Sequence, residues 1–347
     1  MGRFRLSAQP QLASNCKNAP NPDNESFMRP FTPFVTNPHL LTILANYWPR
    51  EFDFTSYPIE RRFFRTEPDT QVLVQTQRPT REPLGELVFI HGLEGAGDAG
   101  YIVSMAFAAL TVGFVVHRFH MRTCGGTEKL CNTLYHAGLT SDLRSFLEQT
   151  QTALPRFLTG FSLGGNVALK LAGELGTTNL IQGVCAVSTP IDLALATQRI
   201  DQWDNHLYQR RFVNRMKLRL IATGRYTEAD LAPWNSIYTL DDHITAPSFG
   251  FGTADNYYAT QSSMSFLDRI RVPALLIAAK DDTFIPFEMY SHPALTSNPF
   301  LKLIAPDHGG HLGFLSRHKP RFWLDETVLA FFGEIVRTFR PPTLPSI

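Results

Sequence analysis

Cysteine is scarce in this chain, and the few present are ungrouped. Cys16, Cys124, Cys131 and Cys185 form no CxxC pair. Their spacing reads neither as a zinc site nor as a disulfide framework, so a reducing cytosol is the default expectation. Charge is sparse too: 18% of the 347 residues are Asp, Glu, Lys or Arg, against about 25% in typical soluble proteins. Lys plus Arg number 32 and Asp plus Glu 31, a net charge of +1. No bulk field of that size would hold DNA, RNA or an anionic membrane, so no nucleic-acid partner is expected. A purely local basic patch is compatible with it. No apolar run approaches the roughly 18 residues of a membrane span. The N-terminal residues lack the continuous apolar segment of a signal peptide. We read 1–36 as a flexible arm and the protein as cytoplasmic, with peripheral membrane contact left open. There is no internal repeat.

What the chain does have is core material. Apolar residues make up 44%, with 27 Phe, enough to rule out disorder over the whole length. Strand-like runs recur at Pro58–Thr66, Gln71–Gln77, Glu86–Ile90, Gly113–Phe119, Arg156–Thr159, Leu180–Val187, Ala274–Ala279 and Pro299–Ala305. Helical stretches alternate with them: one from Asn37 to Trp48 with Pro38 in its first turn, then Tyr101–Leu110, Leu139–Gln149, Asn166–Leu175 and about Phe322–Thr338. In Leu139–Gln149 the polar side carries Asp142, Arg144 and Glu148. Alternating strands and helices predict an α/β fold, a mostly parallel central sheet with helices on both faces. The rhythm breaks over about 190–271, which reads as a helical insertion within one domain of 37–347.

Gly160-Phe161-Ser162-Leu163-Gly164 is G-x-S-x-G, placed between a strand ending at Thr159 and a helix beginning after Gly165. A sharp strand-to-helix turn lifts a serine hydroxyl clear of the sheet, and the crowding there demands small residues two places to either side. The free N–H groups of the helix start then face any developing negative charge. A serine nucleophile needs a base, and the base an orienting acid. In chain order Ser, Asp, His, the acid falls after the strand Ala274–Ala279, where Asp281 and Asp282 compete. Asp282 is preferred because it stands four residues before Pro286 in a D-x-apolar-apolar-Pro pattern; Asp281 reads as a solvated turn residue. For the base, His311 lies among Gly310, Leu312, Gly313 and Phe314, and is preferred over His308, which reads as an exposed turn residue. The N–H of Leu163 and the N–H of Leu93, in the loop His91-Gly92-Leu93-Glu94-Gly95, are the candidate oxyanion donors. His91 is better read as structural than as a second base. Cys124 lacks the surroundings that would activate a thiol beyond Arg122 nearby.

With these residues assembled, the chain resembles the YheT-like group of α/β-hydrolase-fold esterases. The stretches that carry the resemblance are Asn37-Pro38-His39-Leu40, His91 to Gly95, Arg122-Thr123-Cys124-Gly125-Gly126, Tyr135-His136-Ala137-Gly138, Gly160 to Asn166, Asp241 to Pro247, Tyr257-Tyr258 and Gly309 to Phe314. Together they span most of the chain from Asn37 onward. The resemblance implies an α/β-hydrolase fold with a helical cap insertion. It implies Ser162 as nucleophile, Asp282 as acid and His311 as base, acting on carboxylic esters, including phospholipids with medium-length acyl chains in some eukaryotic relatives. Thr123 departs from the group, where many members have Gly after the Arg.

The expected activity is hydrolysis of carboxylic esters of small to medium acyl chains, on a small-molecule or lipid substrate, with no metal and no cofactor implied. An acyltransferase would use the same acyl-enzyme with an alcohol in place of water. A non-catalytic binding module on the same scaffold would be expected to lack Ser, Asp or His. The insertion carries Leu193, Leu195, Trp203, Leu207, Tyr208, Phe212, Met216, Leu218 and Leu220. It reads as a cap over the active-site mouth, with an apolar inner face and an outer face carrying Arg210, Arg211, Arg215 and Arg219. Some of its apolar residues, Trp203 and Leu207 being candidates, would line the acyl channel. The sequence leaves the oligomeric state open.

Overall fold

The computed structural model describes residues 29–339. One eight-stranded sheet runs in the order β1-β2-β4-β3-β5-β6-β7-β8. Its strands are β1 (Glu60–Glu67), β2 (Thr70–Gln77), β3 (Gly85–Ile90), β4 (Phe114–Phe119), β5 (Arg156–Phe161), β6 (Gly183–Val187), β7 (Ala274–Ile277) and β8 (Leu301–Ile304). β1 pairs antiparallel with β2, and β2 with β4; from β4 onward every pair is parallel. All eight expected strands are present, and the sheet is mostly parallel as read.

The parallel strands are buried on both faces because helices cover both. Alternate residues of β3 divide between them. Val88 and Ile90 join Phe146, Val167 and Leu171, from α3 (Ser141–Gln149) and α4 (Leu163–Leu175). Leu87 and Phe89 join Ile102, Leu110, Val328 and Phe332, from α2 (Gly100–Val112) and the C-terminal helix Trp323–Phe339. Phe89 is fully buried, so truncating it to Ala would cost about 3–5 kcal/mol. Helix α1 (Pro38–Tyr47) starts where expected: Asn37 Oδ1 accepts from the Leu40 N–H at 3.0 Å, and Pro38 fills the first turn.

Three expectations are corrected. The helix after the G-x-S-x-G turn begins at Leu163, not after Gly165; Ser162 occupies its N-cap position with no capping hydrogen bond from its side chain. Asp142 does not sit on a solvated polar face. It is 2% exposed and accepts from buried Arg122, with Nε–Oδ2 2.7 Å and Nη2–Oδ1 2.6 Å. The loose arm does not extend to 36. Residues 1–28 lie outside the described residues, but Trp323 Nε1 donates to Arg29 O at 2.6 Å and the Phe34 N–H to Leu315 O at 2.8 Å. Phe31 packs on Trp323 with centroids 5.2 Å apart.

Between β6 and β7 the chain leaves the sheet. It forms α5 (Leu193–Ile200), α6 (His206–Ala222) and the short helices α7 (Glu228–Leu231), α8 (Ile237–Leu240), α9 (Ala246–Ser248) and α10 (Ala254–Gln261). A π-helical turn over Asp241–Thr245 joins α8 to α9. A separate apolar cluster holds this layer together, with Val213, Met216 and Leu220 of α6 against Leu231, Ile237 and Leu240. The C-terminal helix Trp323–Phe339 closes the described chain as α12, after the short α11 (Ala294–Ser297). Among the described residues no helix is long and apolar enough to cross a membrane.

Candidate active site

Ser162 stands at the carboxyl end of β5, with φ +52° and ψ −124°. A non-glycine residue in that region is strained, and such strain collects at functional turns. The turn closes because its flanking residues lack side chains. A Cβ on Gly160 would lie 2.2 Å from Gly164 O, and one on Gly164 would lie 2.4 Å from both Ile90 O and His91 O. Asn166 pins the first turn of α4. Its Nδ2 donates to Ala137 O and to Gln261 O, both at 2.9 Å, and its Oδ1 accepts from the Ser263 N–H at 2.7 Å.

The loops after β7 and β8 bring Asp282 and His311 to this serine. His311 Nε2 lies 3.0 Å from Ser162 Oγ. His311 Nδ1 lies 3.0 Å from Asp282 Oδ2 and 3.2 Å from Oδ1. Facing a carboxylate, Nδ1 carries the ring proton, which leaves Nε2 as an acceptor toward the hydroxyl. Asp282 is fixed in turn: its Oδ1 accepts from the N–H groups of Phe284 at 2.9 Å and Ile285 at 3.1 Å. Phe284 packs against the imidazole, with centroids 4.5 Å apart. His311 and Asp282 are each 8% exposed.

Asp281 and His308 do not reach the serine; they pair with each other. His308 Nδ1 lies 3.0 Å from Asp281 Oδ2, and Asp281 Oδ1 accepts from the Gly310 N–H at 2.9 Å. Asp281 is therefore not the solvated turn residue expected. It braces the loop that carries His311. Thr42 of α1 does the same from the other side, as its Oγ1 accepts from the His311 N–H at 2.9 Å. Nothing in the sequence ties Thr42 to residue 311.

His91 is buried and holds two loops together. Its Nδ1 donates to Gly92 O at 2.8 Å and its Nε2 accepts from the Met121 N–H at 3.1 Å. Burial lowers its pKa to about 3, so it stays neutral. Burial likewise pushes the Cys124 thiol up, which disfavours a nucleophilic thiolate. In the His91–Gly95 loop, the Gly92 N–H donates to Tyr101 Oη at 3.2 Å, the Glu94 N–H to Tyr135 Oη at 3.0 Å and the Gly95 N–H to Gly92 O at 3.0 Å. The Leu93 N–H has no partner among the described residues. Leu163 heads α4, where a helix leaves its N–H groups unpaired.

A mainly apolar cleft, partly open to solvent and with about 70 Å³ of space for the centres of water-sized molecules, adjoins Ser162 and His311. Leu93, Leu163 and Phe284 line it from the main layer, and Leu193, Phe212 and Met216 from the insertion. Trp203 and Leu207 do not: they are 87% and 73% exposed. Arg219 is also misplaced by the sequence reading. It turns inward, where its Nε lies 2.9 Å from Glu94 Oε1 and 3.0 Å from Oε2, its Nη1 donates to Thr123 Oγ1 at 3.0 Å, and its guanidinium covers the Tyr135 ring at 4.6 Å. Thr123 itself has φ +61°, a conformation that favours the Gly of the resembled group; its hydroxyl gains Arg219. Asp241 shares the same wall, accepting from Tyr258 Oη at 2.8 Å. Burial raises its pKa to about 6.

A single sheet of this topology, a serine at a strained turn after β5 and a buried Asp–His pair from the loops after β7 and β8 define the α/β hydrolases. The α/β hydrolase fold family model matches residues 86–317, and the chain belongs to that family, within its YheT-like group. It is 30% identical over 306 residues to YheT of Escherichia coli strain K12, covering 84% of this chain and 89% of that protein. It is 27% identical over 305 residues to the medium-chain fatty acid ethyl ester synthase/esterase 2 of Saccharomyces cerevisiae, covering 77% of this chain and 66% of that one. The Pyrococcus furiosus esterase Pf2001 shares the fold, with a TM-score of 0.54 at 16% identity over 82% of this chain and 96% of that one.

Proposed function

We propose that this carboxylic ester hydrolase works through an acyl-enzyme on Ser162, with His311 as general base and Asp282 as the orienting acid. The reading rests on one observation, the unbroken hydrogen-bonded series from Ser162 Oγ through His311 to Asp282. His311 Nε2 takes the hydroxyl proton as Oγ attacks the ester carbonyl carbon. The carbonyl oxygen becomes an oxyanion facing the N–H groups of Leu93 and Leu163; the first has no competing partner and the second lies at a helix start. The protonated imidazole is stabilised by Asp282 and returns its proton to the departing alcohol. Water, deprotonated by the same nitrogen, attacks the acyl carbon and frees the acid. The apolar insertion wall suits a small to medium acyl chain, and the yeast relative's medium-chain acyl ester substrate agrees with that size.

Acyl transfer to an alcohol is the second reading, favoured by the synthase/esterase name of the same relative. A fluorophosphonate that labels serine hydrolases tests the first. Wild type should gain one adduct, located at Ser162, and Ser162→Ala should gain none and lose ester turnover. Near wild-type turnover by Ser162→Ala would overturn the mechanism and point to another nucleophile. Ethyl ester formation on adding ethanol would distinguish transfer from hydrolysis.

A further inference from the structure

Helix α1 has two faces with different tasks. Its inner side presents Thr42 to the His311 loop. Its outer side presents Leu40, Ile43 and Tyr47, at i, i+3 and i+7, exposed by 50%, 43% and 68%. Beside it, the start of α6 and the turn before it present Trp203 and Leu207, a pair at helical spacing and more exposed still. The two surfaces are joined, since Arg211 Nη1 donates to Tyr47 Oη at 3.2 Å and His39 stacks on Tyr208 with centroids 5.8 Å apart. Tyr208 then meets Phe284 at 4.7 Å, and Phe284 meets His311. The exposed apolar surface is thus continuous with the rim of the active site. Exposed Arg210, Arg211 and Arg215 share the outer face of α6, and none enters an ion pair among the described residues.

We propose that the outer faces of α1 and of the start of α6 form a docking surface for an anionic lipid bilayer, seating the active-site mouth on the membrane. Three observations select that occupant. Exposed Trp and Tyr beside arginines is the side-chain set that settles at the headgroup level. Exposed Arg210, Arg211 and Arg215 give this face a local basic patch on a chain whose net charge is only +1. A second copy of the chain would set this patch against itself across a two-fold axis, bringing arginine against arginine. The purpose of the surface rests on the ester-hydrolase reading, because acyl chains would enter the cleft without crossing water. The binding itself does not depend on that reading.

The test is flotation of the full chain with vesicles of phosphatidylcholine alone or mixed with phosphatidylglycerol. Wild type should float with the mixed vesicles, release as salt rises, and bind phosphatidylcholine weakly. Arg210→Glu and Arg211→Glu should each weaken binding by about fivefold or more. Trp203→Ala and Leu207→Asp should each weaken it by about tenfold. All four variants should keep wild-type turnover of p-nitrophenyl butyrate, which reports both folding and an intact site. Absence of wild-type binding, or binding that all four variants leave unchanged, overturns the proposal. A concentration-dependent dimer that Leu207→Asp dissolves, with no vesicle binding, would assign the face to a second copy instead. Wild type that binds vesicles but does not turn over the ester would count against the enzymatic reading and not against the docking surface.

Discussion

The backbone N–H of His311 donates to Thr42 Oγ1 at 2.9 Å, across 269 residues of chain. Thr42 Oγ1 in turn donates to Pro38 O at 2.8 Å, so the first helix supports the loop that carries the proposed base. Asp281 supports the same loop through the Gly310 N–H. Two short bonds from distant elements thus aim the imidazole, while Asp282 sets its tautomer.

Thr42→Val keeps the shape and removes the acceptor. It should lower kcat about tenfold, the size of one lost hydrogen bond of about 1–1.5 kcal/mol, with little change in KM. Thr42→Ser should restore most of it. Steady-state kinetics on a p-nitrophenyl ester decide; an unchanged kcat in Thr42→Val would mean that the loop holds its geometry unaided.

For the proposed triad, Ser162→Ala or His311→Ala should reduce turnover by roughly 10⁴-fold or more without loss of fold. Asp282→Asn should cost roughly 10³–10⁴-fold by favouring the wrong tautomer. Asp281→Asn should cost about tenfold or less, since it touches only the loop and His308. The reverse ranking of the two aspartates would move the acid by one residue.

Much of this arrangement is legible in the chain. The eight strands announce themselves as apolar runs, and each of Ser162, Asp282 and His311 follows a strand end within a motif. What escapes is anything set by which way a side chain turns. Arg219 falls among exposed arginines on α6, yet it points inward because Glu94 lies buried on the neighbouring loop. Asp142 sits in an amphipathic pattern that predicts solvent, but Arg122 reaches it from a loop 20 residues earlier. Trp203 and Leu207 are apolar at helical spacing, which marks a face without saying whether that face is covered. Thr42 carries no signal at all, because its importance is a contact with the far end of the chain.

The Arg219–Glu94 pair predicts a stability effect. Their side chains are 10% and 4% exposed, so removing the guanidinium strands a buried carboxylate. Arg219→Met should destabilise by about 3–5 kcal/mol. Arg219→Met combined with Glu94→Gln should recover part of that loss. Urea denaturation of the single and double variants checks the coupling; equal losses in both would mean that Glu94 contributes nothing beyond packing.

Asp241 predicts a pH dependence. Its pKa in the folded state is about 6, above the usual carboxylate value of about 3.9, so the folded chain holds this proton more tightly. Below about pH 4 both states are protonated and the group costs nothing. As pH rises toward 6 the unfolded chain ionises first, and folding loses about 3 kcal/mol in all, roughly half of it above pH 5. Asp241→Asn lacks that loss and retains an acceptor for Tyr258. The variant should therefore gain about 1.4 kcal/mol on wild type between pH 5 and 7.5, read from urea midpoints at the two pH values. A constant difference would place the titration of Asp241 outside that range.

The insertion wall makes the last prediction, about acyl length. Leu193, Phe212 and Met216 face the cleft beside Ser162, and Met216 is 4% exposed. Each methylene buried against such a wall is worth about 0.8 kcal/mol, close to fourfold in kcat/KM while the chain still fits. Activity on p-nitrophenyl esters should therefore climb from acetate to a medium chain and fall where the wall ends. Phe212→Ala or Met216→Ala removes part of that wall and should move the optimum to longer acyl chains. Truncation of this kind costs about 2–5 kcal/mol of stability, so each variant needs a melting curve alongside its profile. Trp203→Ala and Leu207→Ala lie outside the cleft and should leave the profile on dispersed esters where it was. If the optimum stays put in all four variants, chain length is set by the sheet-side residues Leu93, Leu163 and Phe284, and the insertion serves packing alone. If Trp203→Ala shifts it while Phe212→Ala does not, the acyl chain leaves the cleft along the outer face of α6, and the wall named above is the wrong one.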